Sequence, residues 1–183
     1  MLFLRDETMR RLNAFALALL LALPAGAALA ANSCEGFIAH MQKALPDLEP
    51  RFVRPVVVGR SGGRGEQRDM VVKQRVDSQL VCEGDRFVRF EARIQEPSNA
   101  PLRDAFFRIQ QYAAMYKLNW SASRASRELH AMTAEAAEYL RGSAEREDHV
   151  VAGKVERHAG EAGDIGLIWT RNDRSFILVP YTP

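Results

Sequence analysis

The sequence predicts an α+β fold, in which a mostly antiparallel sheet of about five to six strands carries helices packed on one face. Two observations lead to this class. Segments that alternate apolar and polar residues, as half-buried strands do, form one group before residue 95 and another after residue 150. Between them, residues 101–141 show the apolar spacing of amphipathic helices. With a short helix at its start, the predicted order is α-β-β-β-α-α-β-β-β.

The first thirty residues have the three parts of a secretory signal peptide. Arg10 and Arg11 supply positive charge, residues 12–23 are almost wholly apolar, and residues 28–30 (Ala-Leu-Ala) place small side chains where a signal peptidase cuts. The apolar core is shorter than the roughly 20 residues of a membrane span. We expect cleavage after residue 30, which leaves a single globular domain over residues 31–183, periplasmic or secreted and without a transmembrane span.

Two details of the export segment stay open. Asp6 and Glu7 place negative charge where a signal peptide is positive, so the true start is expected at Met9. A lipoprotein would carry an acylated cysteine directly after the cut, and Cys34 lies close by. Residues 31–33 (Ala-Asn-Ser) lack the leucine of a lipobox, which makes lipidation the less favoured alternative.

The first predicted element is a helix over residues 34–44. Ser33 is a suitable N-cap and Pro46 ends the helix. One face of this helix is apolar at i, i+4 and i+8, which predicts that it packs on the sheet through Phe37, Met41 and Leu45.

Three strands are predicted next, over residues 52–58, 72–82 and 88–94. Pro55 favours an edge position for the first of them. Residues 59–66 are rich in glycine and predict a loop, and the second and third strands form a hairpin. Within that hairpin Val88 and three further apolar residues are expected on the buried face, namely Phe90, Ala92 and Ile94.

Cys34 and Cys82 are the only cysteines. In an oxidising compartment such a pair usually forms one structural disulfide. A reactive thiol pair would favour the short spacing Cys-x-x-Cys, which is absent. Because Cys82 falls on the predicted buried face, the bond would hold the first helix against the sheet.

The second half of the mature chain predicts two helices and three strands. The first helix begins near Pro101 and the second near Ser121 or Ser123, with Tyr139 on its apolar stripe and Gly142 just past its end. The strands cover about 150–157, 165–170 and 175–181. Both faces of the last two are apolar, which predicts central positions in the sheet.

Charge is unevenly distributed along the chain. Residues 51–93 contain ten basic and six acidic side chains, and residues 133–164 contain four basic and eight acidic ones. The two regions either neutralise one another in the fold or leave a basic surface for an anionic partner. The glycine-rich loop does not match a nucleotide-binding loop, because no Lys-Ser/Thr follows and the next element is a strand. Its candidate anion-binding residues are Arg60, Arg64 and Arg68, with a solvated basic loop as the alternative.

No residue pattern predicts a metal site, a cofactor or a catalytic centre. Glu156 and His158 share one face of a predicted strand, and Asp148-His149 lies upstream, but spacing does not show three converging ligands. The Gly-x-Ser-x-Gly motif of hydrolases is absent. Trp120, between the two long helices, is the candidate exposed aromatic for a binding groove, whereas Trp169 is expected in the core.

These observations favour a non-enzymatic binding domain of the bacterial envelope or secreted space. It would hold a protein partner or an anionic envelope polymer on its sheet or basic loop, and no nucleotide is expected. The alternative is an envelope enzyme of hydrolase type, with a site assembled from residues distant in sequence.

Overall fold

In the part of the chain that the structure describes, three α-helices and eight strands enclose one apolar core. A computed structural model describes residues 33–60, 63–144, 153–159, 163–170 and 172–179, so the predicted signal peptide lies outside the described part. The helices are α1 (Cys34–Ala44), α2 (Ala100–Leu118) and α3 (Ala122–Ala144). The strands are β1 (Arg51–Phe52), β2 (Val56–Arg60), β3 (Gly63–Val71), β4 (Asp77–Glu83), β5 (Arg86–Ile94), β6 (Gly153–His158), β7 (Asp164–Trp169) and β8 (Arg174–Val179).

All the strands join one antiparallel sheet of order β1-β3-β4-β5-β8-β7-β6, and β2 pairs with β3 beside β1. The predicted α+β class is confirmed, as are the interior positions of β7 and β8. The sheet has eight strands rather than five to six. One of the additional strands arises because Pro55 divides the first predicted strand into β1 and β2, and the other is β3.

The predicted loop over residues 59–66 is wrong. Strand β2 continues to Arg60 and β3 begins at Gly63, so only two residues connect them. Glycine and charged residues have low strand propensity, which is why local composition predicted a loop. The segment becomes a strand because β3 pairs with β2 on one side and, from Glu66 onward, with β4 on the other.

Helix α1 is as predicted. The Ser33 hydroxyl accepts a hydrogen bond from the Gly36 amide at 2.8 Å, and the helix ends at Ala44. Its apolar face is fully buried at Phe37, Met41 and Leu45.

Helices α2 and α3 are also capped by side chains. The Asn99 side chain accepts from the Leu102 amide at 3.1 Å, and the Ser121 hydroxyl accepts from the Arg124 amide at 3.2 Å. Their predicted stripes are buried at Leu102, Phe106, Ile109, Ala113, Ala125, Leu129, Met132 and Ala136. Tyr139 is an exception, since it lies beyond the last buried turn of α3 and is 56% exposed. The helix also continues past Gly142, its predicted end.

The helices cover one face of the sheet, packing mainly against β5 to β8. A β-bulge between β4 and β5 shifts the register at Cys82, which pairs with Phe87. Phe87 is therefore buried, and Val88, predicted on that face, is only half-buried. The β2–β3 hairpin lies at the edge of the sheet opposite β6, away from the main helix contacts.

Candidate interaction edge

The Cys34–Cys82 disulfide attaches the start of α1 to β4, as the sequence predicts. The two Cα atoms are 6.3 Å apart, and the Cys34 amide donates to the Asp85 carbonyl at 2.7 Å. Both cysteines are fully buried. With its sulfur in this bond, Cys34 has no thiol to acylate.

Arg68, one of the three candidate anion-binding residues, is paired within the protein. Its guanidinium forms ion pairs with Glu35 on α1 and with Glu66, and its side chain is only 19% exposed. The charge that was a candidate for binding an external anion is therefore neutralised within the fold. Arg68 instead joins β3 to α1.

The other two candidate arginines lie at the end of the β2–β3 hairpin. In the strand register Arg60 pairs with Gly63, and Arg64 pairs with Gly59. The side chains of Arg60 and Arg64 lie outside the described part, and both residues stay candidates for binding an anion.

The outer edge of the sheet exposes apolar side chains. Val56 and Val57 of β2 are 61% and 66% exposed, and Val53 before them is also exposed. Val56 and Val57 occupy opposite faces of the strand, so both faces of this hairpin are open to solvent. The valine-rich strand and Pro55 predicted an edge position, but not that the helices would leave both of its faces uncovered.

Positive charge borders these valines. Residues 51–64 contain four arginines and no acidic residue. Arg51 lies 3.5 Å from Glu49, a solvent-exposed ion pair of small energetic value. Arg54 is exposed and forms no ion pair or hydrogen bond with any residue that the structure describes. The edge therefore combines exposed apolar surface with a cation that is available to a partner.

Trp120 is not exposed, so the prediction of an exposed aromatic at this position is wrong. The backbone at Asn119 is left-handed, with φ of 51°, and this turn between α2 and α3 directs the chain back to the core. Trp120 is only 6% exposed, and the Arg124 guanidinium covers its ring at 4.8 Å. Trp169 is half-buried and stacks against Arg174 at 4.3 Å.

A shallow groove of about 420 Å³ lies over the middle strands on the face opposite the helices. Three of its four charged side chains, those of Asp69, Glu91 and Arg93, have partners within the protein, and Asp77 is the fourth. Asp69 accepts from the Gln67 amide group at 3.0 Å, and Arg89 lies 2.9 Å from Glu91. Arg93 donates two hydrogen bonds to Asp173, at 2.9 and 2.7 Å, which lowers the pKa of the Asp173 carboxyl.

The histidines form no metal centre in the described ranges, where no three potential ligands converge. His158 lies 3.0 Å from Asp164 on the neighbouring strand, while Asp148 and His149 fall outside the described residues. His40 packs on the Tyr116 ring at 5.0 Å, and burial lowers its pKa.

Lys117 has a strongly lowered pKa. It lies 5.0 Å above the ring of Phe87, and burial at the end of α2 lowers the pKa of its amine to about 8.

Comparison with known proteins identifies no relative: no family model, no curated protein and no solved structure matches this chain. Within the described residues no helix has both the length and the apolar character to cross a membrane. The disulfide fits an exported protein.

Proposed function

We propose that this protein is an exported, non-enzymatic binding domain that holds an acidic partner at the outer edge of its sheet. The binding surface, called here the β2 edge, comprises residues 51–60. The partner is a protein or an anionic polymer of the bacterial envelope, and the domain acts in the periplasm or the secreted space.

The observation that carries this proposal is the exposure of Val56 and Val57 beside Arg54, which has no ion pair or hydrogen bond among the described residues. Large apolar side chains on an edge strand promote association unless the edge is blocked. Natural edges are often blocked by charge or proline, and here Pro55 blocks only the start of β2. Arginine then adds attraction for carboxylate or phosphate groups.

The shallow groove on the sheet face opposite the helices is a less favourable binding site. Asp69, Glu91 and Arg93 already have partners there, so binding a ligand would break existing interactions. The β2 edge provides apolar area and positive charge, and a ligand bound there would not break these existing interactions.

Binding of poly-L-glutamate to the oxidised mature protein tests the proposal. We expect binding at about 10 mM salt and its loss at about 1 M, because salt screens the attraction between exposed charges. Arg54→Glu should weaken binding at least about threefold through charge repulsion. Arg141→Glu is the matched control, since Arg141 is exposed on α3 and α3 packs at the opposite edge.

Two results would contradict the proposal. One is no binding of poly-L-glutamate even at low salt. The other is equal weakening by Arg54→Glu and Arg141→Glu, which would mean that only net charge matters.

A further inference from the structure

The outer side of β2 has the backbone geometry of a strand that lacks a neighbour. In an antiparallel pair, alternate residues direct their N–H and C=O groups toward the partner strand, and the residues between direct theirs away. Strand β2 pairs with β3 along one side, from Val56 to Arg60. On its other side no strand pairs with it in the part of the chain that the structure describes.

The side chains of β2 favour a partner segment in extended conformation rather than a flat partner surface. Val56 and Val57 project to opposite faces, and both are exposed. A flat surface would cover only one of them. A strand laid beside β2 would carry its own side chains alternately onto both faces and would shield both valines.

Charge identifies the chemistry of that strand. The segment from residue 51 to residue 64 has four positive charges and no negative ones, and Arg54 and Arg51 lie at the start of the edge. Opposite charges on neighbouring strands stabilise their pairing, and like charges directly opposite destabilise it. A segment rich in aspartate or glutamate is therefore favoured.

The same charge disfavours a second copy of this chain as the occupant. In a two-fold pairing of β2 edges centred on Val57, Arg54 of one copy would stand at the register position of Arg60 in the other. Such a pair places like charges opposite each other.

We propose that β2 accepts an acidic, extended polypeptide segment as an additional strand of the sheet. This inference rests on the proposed function, because it specifies how the β2 edge binds and that its partner is a polypeptide. Backbone hydrogen bonds from the β2 edge would hold the segment, Val56 and Val57 would contact its alternate side chains, and the arginines would select for acidic residues.

The test uses a short blocked peptide that alternates valine and glutamate, titrated into the oxidised mature protein. Two further versions carry N-methyl groups on alternate residues, one on the odd positions and one on the even positions. Only one set of amides faces β2 in an added strand. We expect one version to bind at least about tenfold more weakly, because it loses several hydrogen bonds, and the other to bind like the parent.

A protein variant gives a second measurement. Val57→Ser should weaken binding of the parent peptide severalfold by removing apolar contact, whereas Val179→Ser should not. Val179 is also an exposed strand valine, but it lies on β8, away from the β2 edge.

The outcomes separate the two proposals. If poly-L-glutamate binding depends on Arg54 but both methylated peptides bind equally, the proposed function stands and strand addition is wrong. If neither the polymer nor the peptide binds, the proposed function itself is wrong. If the protein alone sediments as a dimer that Val57→Ser dissociates, a second copy occupies the edge and strand addition by an acidic segment is overturned.

Discussion

Trp120 shows how one side chain changes its role once the fold is known. It packs in the core under Arg124 and is nearly inaccessible. We expect Trp120→Ala to lower the free energy of unfolding by about 3–5 kcal/mol, because it leaves a cavity. Urea denaturation measures this, with Tyr139→Ala as the exposed aromatic control. A loss below about 1 kcal/mol for Trp120→Ala would contradict its place in the core.

The lowered pKa of Lys117 predicts how the free energy of unfolding changes with pH. Its amine has a pKa of about 8 in the folded protein, against the ordinary lysine value of 10.5. Between these values the unfolded chain binds more protons, so the free energy of unfolding rises as pH increases. Burial raises the pKa of Tyr116, so this residue lowers the free energy of unfolding with rising pH only above pH 10.0, the ordinary pKa of a tyrosine. The interval from pH 8 to pH 10 therefore lies below the range in which Tyr116 contributes.

The Lys117→Met variant removes this titration. We expect the wild type to gain stability relative to the variant as pH rises from 8 to 10, as measured by urea denaturation. In NMR titrations, one of the four lysine side chains should have a midpoint near 8, and its signal should be absent from the variant. Four lysines that all titrate near 10.5 would contradict the shift.

Helix α1 is held to the sheet by two kinds of contact. The Cys34–Cys82 bond fixes its first residue, and Phe37 packs within 5.1 Å of Phe87 and 5.0 Å of Phe90, measured between ring centroids. We expect the Cys34→Ala, Cys82→Ala double variant to fold but to lose about 3–4 kcal/mol of stability, because its unfolded chain is no longer cross-linked.

Urea denaturation under oxidising conditions measures that loss. Wild-type protein treated with a reductant is the control and should match the double variant. Equal stability of the oxidised wild type and the double variant would show that the bond contributes nothing.

At the scale of helices and strands, patterns among neighbouring residues predicted those elements that local interactions determine. Helix α1 was located by the N-cap Ser33, the apolar stripe that begins at Phe37 and the helix end before Pro46. A cap and a period of 3.6 residues are properties of neighbouring residues, so the local sequence shows them. The bond between Cys34 and Cys82 followed from the cysteine count and the expected compartment. Strand β3 was missed because its glycines and charges suit a strand only when β2 and β4 pair with it.

The candidate site was predicted only in part, for the same reason. Pro55 and the valines after it indicated an edge strand. Nothing in the local sequence showed that Arg68 would pair with Glu35, a residue 33 positions away, or that Trp120 would turn into the core. Which charges remain available to a partner depends on contacts between distant residues.

At the scale of the whole molecule, the chain joins a helix-covered part of the sheet to a hairpin whose strand β2 exposes Val56 and Val57. Export remains a prediction of the first thirty residues, and the intact mass of protein recovered from the periplasm or culture medium tests it. We expect a chain that begins at Ala31, without lipid and lighter by two hydrogen atoms than its fully reduced form. A mass that includes residues 9–30, or two free thiols, would contradict this expectation.

Amide hydrogen exchange of the oxidised mature protein, with and without poly-L-glutamate at low salt, tests the central claim most directly. The claim is that the β2 edge is the binding surface. Exchange should slow at residues 51–60 and remain unchanged over α3 and around Asp69 in the groove. Protection confined to the groove, or unchanged exchange at residues 51–60 while the polymer is bound, would contradict the account.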